Sequence, residues 1–257
     1  MKLVILGSGT SVPHSTRSSS GFWLETAGGT LLLDCSASVG HRMAQESLDW
    51  ANLDAVWISH FHLDHCGGLA PLLFGMRNAK ATQDRSKPLR IFGADGLKDL
   101  LKAFDDAGKY KLFDQKFPVE IIEIEQLETF EILPGIDAVA MRTPHTQNSH
   151  AIHLTETGGT TFVYTSDTGY EIKLATFARR ADLLLMECSF VKEKPTEKHL
   201  ELAEANELIR RAEPKVTVLT HLYPEWDLVE FDEEVAKFSP GFEVIEATDG
   251  LRLVISE

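Results

Sequence analysis

Apolar residues along this chain fall into short runs separated by polar turns, the pattern of a sheet-rich protein. The runs predict strands at 2–6, 21–26, 30–34, 54–58, 89–93, 119–124 and 128–132 in the first half. In the second half they predict strands at 137–142, 150–155, 160–165, 182–187, 216–220, 242–246 and 251–255. Helical spacing predicts helices over 37–46, 67–78, 96–107, 170–179, 198–212 and 229–238. Gly28-Gly29 and Gly158-Gly159 each separate two β-rich runs and read as hairpin turns. There is no low-complexity linker and no short-period repeat. The two halves carry similar hairpin-then-helix content, which points to a two-layered sheet core with helices outside. One domain over residues 1–257 is the expected organisation.

Chemistry gathers where the strands end. Val56-Trp57-Ile58 leads to His60, Phe162-Val163-Tyr164 to Asp167, Leu183-Leu184-Leu185-Met186 to Glu187, and Val216-Thr217-Val218-Leu219 to His221. In α/β architectures ligands collect outside the carboxyl ends of strands, where loops from distant segments meet. The first of these ends is the richest: Ser59-His60-Phe61-His62-Leu63-Asp64-His65 sets three imidazoles and a carboxylate within six positions. A buried strand ending this way desolvates several polar groups at a cost that something must compensate. Neutral imidazoles and carboxylates are the ligands that zinc, manganese and iron select. Two histidines at i, i+2 point the same way off an extended segment, and four such groups in one turn suggest more than one ion. A polar surface loop after a core strand is the rival reading, and the donors at the other strand ends weigh against it.

Composition narrows the partners. A chain of 257 residues with 43% hydrophobic residues can bury a full core. Its formal charge of −14 disfavours long nucleic acid, whose affinity comes mainly from Lys and Arg on phosphates. Arg77, Lys80, Arg85, Lys87 and Arg90 against Asp84 form a local basic segment, read as a solvated loop or an anion-steering patch. Cys35, Cys66 and Cys188 are odd in number and scattered, so no disulfide framework is expected and a reducing cytoplasm is the default. Cys66 reads as a small buried thiol rather than a ligand. Met1 to Leu6 runs into Gly7-Ser8-Gly9-Thr10 as a strand and turn, not a targeting peptide, and no apolar stretch approaches membrane-spanning length. That glycine-rich turn reads either as a tight turn or as a phosphate cradle of backbone amides. His14 and His150 are candidates to line a pocket, whereas His41 and His153 read as ordinary polar positions.

The segments His60-Phe61-His62-Leu63-Asp64-His65, Thr143-Pro144-His145-Thr146, Thr165-Ser166-Asp167-Thr168 and Thr220-His221, in that order, resemble the metallo-β-lactamase superfamily. Leu6-Gly7-Ser8-Gly9-Thr10-Ser11, then Pro13, Arg17, Ser18-Ser19-Ser20 and Leu32-Leu33-Asp34-Cys35, resemble its ribonuclease Z-like branch of phosphodiesterases. The resemblance implies an α/β fold, the four-layer αββα sandwich, with a two-metal site at one edge. It implies that His60, His62 and His145 hold one ion, that Asp64, His65 and His221 hold the other, and that Asp167 bridges them. Seven protein ligands leave positions open for water, as a catalytic site requires. Two divalent ions per chain are expected, Zn2+ first, with Mn2+ or Fe2+ admissible. Asp34 is expected to orient a ligand histidine, with capping of the following helix as the rival. Asp64 is counted among the catalytic residues with His199 and Glu187. His199 is expected to protonate the leaving oxygen at the amino end of the helix running to Ala212. Glu187 would keep its imidazole protonated against the helix dipole. Homodimerisation is implied by the resemblance alone.

One departure matters. Ribonuclease Z proper carries a long arm, used to hold tRNA, between the third histidine motif and the bridging aspartate. Here His145 and Asp167 are separated by a span that two strands and a hairpin consume. The expected function is therefore a dinuclear metal-dependent phosphodiesterase for a small or cyclic phosphodiester or a short oligonucleotide end, without long nucleic acid or membrane as partner. Three alternatives stand beside it: tRNA 3′ processing, lactone or acyl-ester hydrolysis, and a non-catalytic metal-binding or regulatory role.

Overall fold

A computed structural model describes residues 1–239 and 241–256; Pro240 and Glu257, both inside the expected domain span, lie outside the described residues. Its strands in chain order are β1 (Lys2–Gly7), β2 (Gly21–Thr26), β3 (Gly29–Leu33), β4 (Ala55–Ile58), β5 (Leu89–Gly93), β6 (Val119–Glu123) and β7 (Thr129–Leu133). They continue as β8 (Ile136–Arg142), β9 (His150–Glu156), β10 (Thr161–Tyr164), β11 (Leu183–Glu187), β12 (Val216–Thr220), β13 (Glu243–Glu246) and β14 (Arg252–Val254). Each coincides with one of the apolar runs to within a residue or two. The helices are α1 (Val39–Gln45), α2 (Leu63–Cys66), α3 (Leu69–Asn78), α4 (Leu97–Gly108), α5 (Lys173–Phe177), α6 (Leu202–Ala212) and α7 (Phe231–Ala236). No helix among the described residues is long and apolar enough to cross a membrane.

The strands pair into two sheets, β14-β1-β2-β3-β4-β5-β6 and β13-β12-β11-β10-β9-β8-β7. Both are mixed in the same way. Pairing is antiparallel from β14 to β3 and parallel from β3 to β6. In the other sheet it is antiparallel from β7 to β10 and parallel from β10 to β13. Parallel strands need both faces covered, which is why their sequences read as unbroken apolar runs.

Alternation along each run sorts side chains into three cores. Leu31 and Leu33 of β3 point between the sheets with Phe22, Trp57, Phe162, Tyr164 and Leu185. Leu32 points outward, where Val56 and Ile58 meet Met43 of α1, Leu69 and Leu73 of α3 and Leu101 of α4. On the far side Val163, Leu184 and Leu219 pack on Ala175 of α5 and on Leu202, Leu208 and Ile209 of α6. The layers are therefore helix, sheet, sheet, helix, the αββα sandwich expected from the sequence.

The helices depart from the predicted spans in ways that bear on the site. The span 67–78 loses its first two residues: an unpredicted one-turn helix α2 ends at Cys66, and after a break α3 runs from Leu69 to Asn78. Gly67 and Gly68 make the break, and Gly68 is required there, since a Cβ would lie 2.1 Å from the carbonyl oxygen of Ser36. The span 170–179 shrinks to α5. The span 198–212 begins at Leu202, capped by Glu201 with Glu204 in a reciprocal box. His199 thus lies in the loop before α6, and the helix-end argument against its protonation does not apply.

Candidate metal centre

Three strand ends bend through left-handed backbone at non-glycine residues, Asp34 after β3 (φ 58°), Ser166 after β10 (φ 57°) and His221 after β12 (φ 58°). Such positions carry strain and concentrate at functional sites. Here they turn the chain so that side chains from both sheets face a common edge. Gly169 completes the approach: a Cβ there would lie 2.0 Å from the carbonyl of Glu197, so only glycine lets the segment after Asp167 pass the loop that carries His199.

The structure brings all nine sequence-selected residues to this edge. Donor atoms of His60, His62, His145 and Asp167 lie within 4.8 Å of one another, and those of Asp64, His65 and His221 form a second such group. Asp167 touches both. Its Oδ2 is 3.8 Å from His60 Nε2, 3.6 Å from His145 Nε2 and 3.3 Å from His221 Nε2, while Oδ1 is 3.3 Å from His65 Nε2. Asp64 Oδ2 lies 3.7 Å from His65 Nε2 and 3.5 Å from His221 Nε2. The Nε2 atoms of His60, His65 and His221 and Oδ1 of Asp167 are buried with no hydrogen-bond partner. Buried polar atoms almost always have partners. Orphans that converge, drawn only from imidazole and carboxylate, fit a divalent metal centre.

The opposite ring nitrogens are tied down. His65 Nδ1 donates to Asp34 Oδ2 at 2.7 Å, and His145 Nδ1 donates to the Lys198 carbonyl at 2.9 Å. Asp34 also accepts from Ser59 N and Ser59 Oγ at 2.8 Å and from the Tyr164 hydroxyl at 2.7 Å. It is fully buried, and Ser38 rather than Asp34 occupies the cap position of α1, so the capping alternative falls away. Burial, with Asp34 beside it, pushes the Tyr164 hydroxyl well above its usual range and keeps it a donor.

Glu187, the last residue of β11, plays a matching part. Its Oε1 accepts from His199 Nδ1 at 2.8 Å and from Thr168 N at 2.7 Å. Its Oε2 accepts from Ser189 N and Leu200 N at 3.2 Å and from Ser189 Oγ at 2.7 Å. The His199 ring stands 4.7 Å from that of His145 and stacks on His221 at 5.3 Å.

The electrostatics follow from this packing. Burial pushes the His60 imidazole well down, helped by the neighbouring charge of His65. Burial also lowers His62 and His145 against the pull of Asp167. For His65 burial is outweighed, and Asp167 and Asp34 hold it well above the usual imidazole value. Asp167 itself is held far below the carboxylate range by His221 and His65, although burial acts the other way. For His199 burial again opposes, but the Glu187 hydrogen bond and charge raise it.

An open cavity of about 590 Å3 borders the cluster, lined by Ser11, Ser19, Ala37, His62, Leu63 and Asp64. Leu63 stands 68% exposed between His62 and Asp64. Tyr223 stacks on Phe190 at 4.8 Å, with its ring 6.1 Å from that of His221.

Several readings resolve differently. The amides of Ser8 and Gly9 are spent on Asp249 Oδ1 and the Ser18 carbonyl, so Gly7 to Thr10 is no phosphate cradle; nor is it a tight turn, since β1 runs through Gly7 and Gly9 bridges Ser19. His14 bonds Asp227 at 2.7 Å and His150 bonds the Asn148 carbonyl at 3.0 Å, and neither lines the cavity. The basic segment is mostly engaged within the fold. Arg85 is buried on carbonyls of Ala51, Leu53, Lys87 and Pro88, Lys87 pairs with Asp54, and Arg77 pairs with Asp114. The three cysteines are free and buried, and Cys66 is pushed up to about 12 by burial. Ser59, Ser189, Tyr164 and Thr168 were not singled out by sequence. Ser59 and Thr168 adjoin selected residues, and proximity in the chain was the only signal available.

The profile of a family described as "Anti-Pycsar protein Apyc1" matches residues 1–240. The probable metallo-hydrolase YhfI of Bacillus subtilis strain 168 is 26% identical over 229 residues, covering 86% of this chain and 87% of that protein. Its crystal structure superposes with a TM-score of 0.79 at 24% identity over 98% of both chains. A ribonuclease Z of Shouchella clausii strain KSM-K16 is 26% identical over an alignment of 300 residues, covering 96% of this chain and 95% of its own length. The short form of human tRNase Z superposes with a TM-score of 0.79 at 21% identity, covering 100% of both chains.

Proposed function

The chain belongs to the Anti-Pycsar protein Apyc1 family, among the metal-dependent hydrolases of the ribonuclease Z-like metallo-β-lactamases, and on that premise we propose that it is a dinuclear-metal phosphodiesterase for small or cyclic phosphodiesters. His60, His62 and His145 would hold one ion, Asp64, His65 and His221 the other, and Asp167 would touch both. Divalent ions there, zinc being the best match to the imidazole-rich donors, would neutralise charge on phosphoryl oxygens and make water acidic enough to supply hydroxide near neutral pH.

The observation that carries the phosphodiester reading is the Glu187–His199 pair beside the cluster. With Nδ1 held by Glu187, His199 keeps Nε2 for the departing oxygen, and the raised imidazole basicity keeps a proton there. A poor alkoxide leaving group benefits most from such an acid. The cavity supports a small substrate: it offers two serine hydroxyls, Leu63 and Asp64, and no cationic side chain to track a polyphosphate backbone. The interval from His145 to Asp167 is filled by β9, a tight turn and β10. The alignment with the Shouchella clausii ribonuclease Z is longer than the 257 residues of this chain, so that relative carries insertions this chain lacks.

The test is turnover of bis(p-nitrophenyl) phosphate by purified, metal-quantified protein, with a chromogenic lactone or ester in parallel and a chelator control. Chelator-sensitive phosphodiester turnover at about two ions per chain supports the reading. Lactone or ester turnover alone would replace it with acyl hydrolysis.

A further inference from the structure

We propose that Ser59 and Ser189 are positioning residues that set the ring tautomer of His60 and His221, one ligand in each half of the metal centre. The inference rests on reading the cluster as that centre. Ser59 Oγ lies 2.8 Å from Asp34 Oδ2 and 3.1 Å from His60 Nδ1. Ser189 Oγ lies 2.7 Å from Glu187 Oε2 and 3.0 Å from His221 Nδ1. A hydroxyl owns a single proton, and an ionised carboxylate only accepts. Each serine therefore donates to its carboxylate, which leaves its oxygen as the acceptor for the imidazole. The proton on that second bond must come from Nδ1. Nε2 is then left with its lone pair aimed into the cluster, and in both rings Nε2 is the buried atom without a partner. Ser166 Oγ, at 3.5 Å from His60 Nδ1, is a second and weaker acceptor on the same side.

The two relays have unlike chain geometry and the same chemistry. Ser59 precedes its histidine directly, at the end of β4. Ser189 follows β11 and reaches across to the end of β12, where Thr220 pairs with Glu187. Both serines and both carboxylates are buried to 1% exposure or less, so water does not compete for these bonds. A free imidazole favours neither outcome strongly enough to fix a site, whereas a buried hydroxyl committed to a carboxylate does. His65 and His145 likewise commit Nδ1 as the donor, by direct bonds to Asp34 and the Lys198 carbonyl.

The test is 15N-resolved NMR of the histidine rings in the metal-free full chain, its fold checked by circular dichroism against the metal-loaded protein. Wild type is expected to show His60 and His221 as the Nδ1–H tautomer. Ser59→Ala should move only His60 towards the Nε2–H form, and Ser189→Ala only His221. Chelator competition on the metal-loaded variants should show about 10–100-fold weaker binding of one ion in each. Nε2–H tautomers in wild type, or variants with unchanged tautomers and unchanged metal affinity, would overturn the proposal. The wild-type spectrum decides the matter even where a variant does not fold. Nδ1–H rings in a chain that takes up no metal would leave the relays standing and remove the metal-centre reading instead.

Discussion

Asp54 and Asp182 hold the same place in the two sheets. Asp54 precedes β4 and accepts from the backbone N (3.0 Å) and hydroxyl (3.1 Å) of Thr30 in β3. Asp182 precedes β11 and accepts from the backbone N (2.7 Å) and hydroxyl (3.0 Å) of Thr161 in β10. The registers agree, since Leu31 faces Ala55 in the first sheet as Phe162 faces Leu183 in the second. Each carboxylate also meets an ammonium, Lys87 or Lys215. The clamp joins the last antiparallel strand to the first parallel one, where each sheet changes its pairing.

Burial alone would raise both carboxyls, but Lys87 with Thr30, and Lys215 with Thr161, hold them below the ordinary value. A carboxyl depressed in the folded state stabilises above its unfolded value and loses that contribution as pH falls through the folded one. We therefore expect the Asp54→Asn, Asp182→Asn double variant to be less stable than wild type at neutral pH. The gap should close as pH drops below about 4. Urea midpoints measured from neutral to acid pH, with chelator in both samples, check this. A gap that stays constant with pH would show that the clamps act by shape alone.

His199 predicts a split between binding and chemistry. His199→Ala should cut turnover of an alkyl phosphodiester by about 10²–10⁴-fold while the metal content stays at the wild-type level. The loss should shrink for p-nitrophenyl esters, whose leaving group needs no proton. Equal losses on both substrates, or none, would take His199 out of the acid role.

Asp167 predicts the opposite split. Its carboxylate faces both donor groups and is nearly fully buried, so Asp167→Asn should lower metal content and activity together. Chelation of wild type should lower the melting temperature, because imidazoles from both sheets then lose their shared partner. Restoring metal at 100 times its dissociation constant should return about 2.7 kcal/mol. Melting curves that ignore chelator would count against a centre that links the sheets.

The fold was legible because buried parallel strands leave continuous apolar runs, and glycine pairs mark the hairpins at Gly28-Gly29 and Gly158-Gly159. The histidine motif was legible because it is contiguous. Helix ends were harder: the box that starts α6 uses Glu201 in place of the usual serine or threonine, so the predicted start fell before His199. The Ser189 contact was not legible at all. It joins β11 to the end of β12 through a register that no local pattern encodes. The equivalence of Asp54 and Asp182 also emerges only when strands are paired, since the sequence shows two isolated acids before apolar runs.

Arg85 carries the last prediction. It belongs to the basic segment from Arg77 to Arg90, read from sequence as a solvated loop or an anion-steering patch, yet it is 7% exposed. Its guanidinium donates to the carbonyls of Ala51 (2.8 Å), Leu53 (2.7 Å), Pro88 (2.8 Å) and Lys87 (3.0 Å), and it lies over the Phe117 ring at 4.5 Å. No lysine reproduces that fork, because an ammonium has three donors on one atom. Arg85→Met should strip the carbonyls of their donors and cost about 2–4 kcal/mol of stability. Turnover of the folded variant should match wild type, since none of these groups touches the donor cluster. Urea unfolding and steady-state kinetics on the same preparation separate the cases: a fall in kcat/KM at unchanged stability would give Arg85 a role in drawing anions to the site.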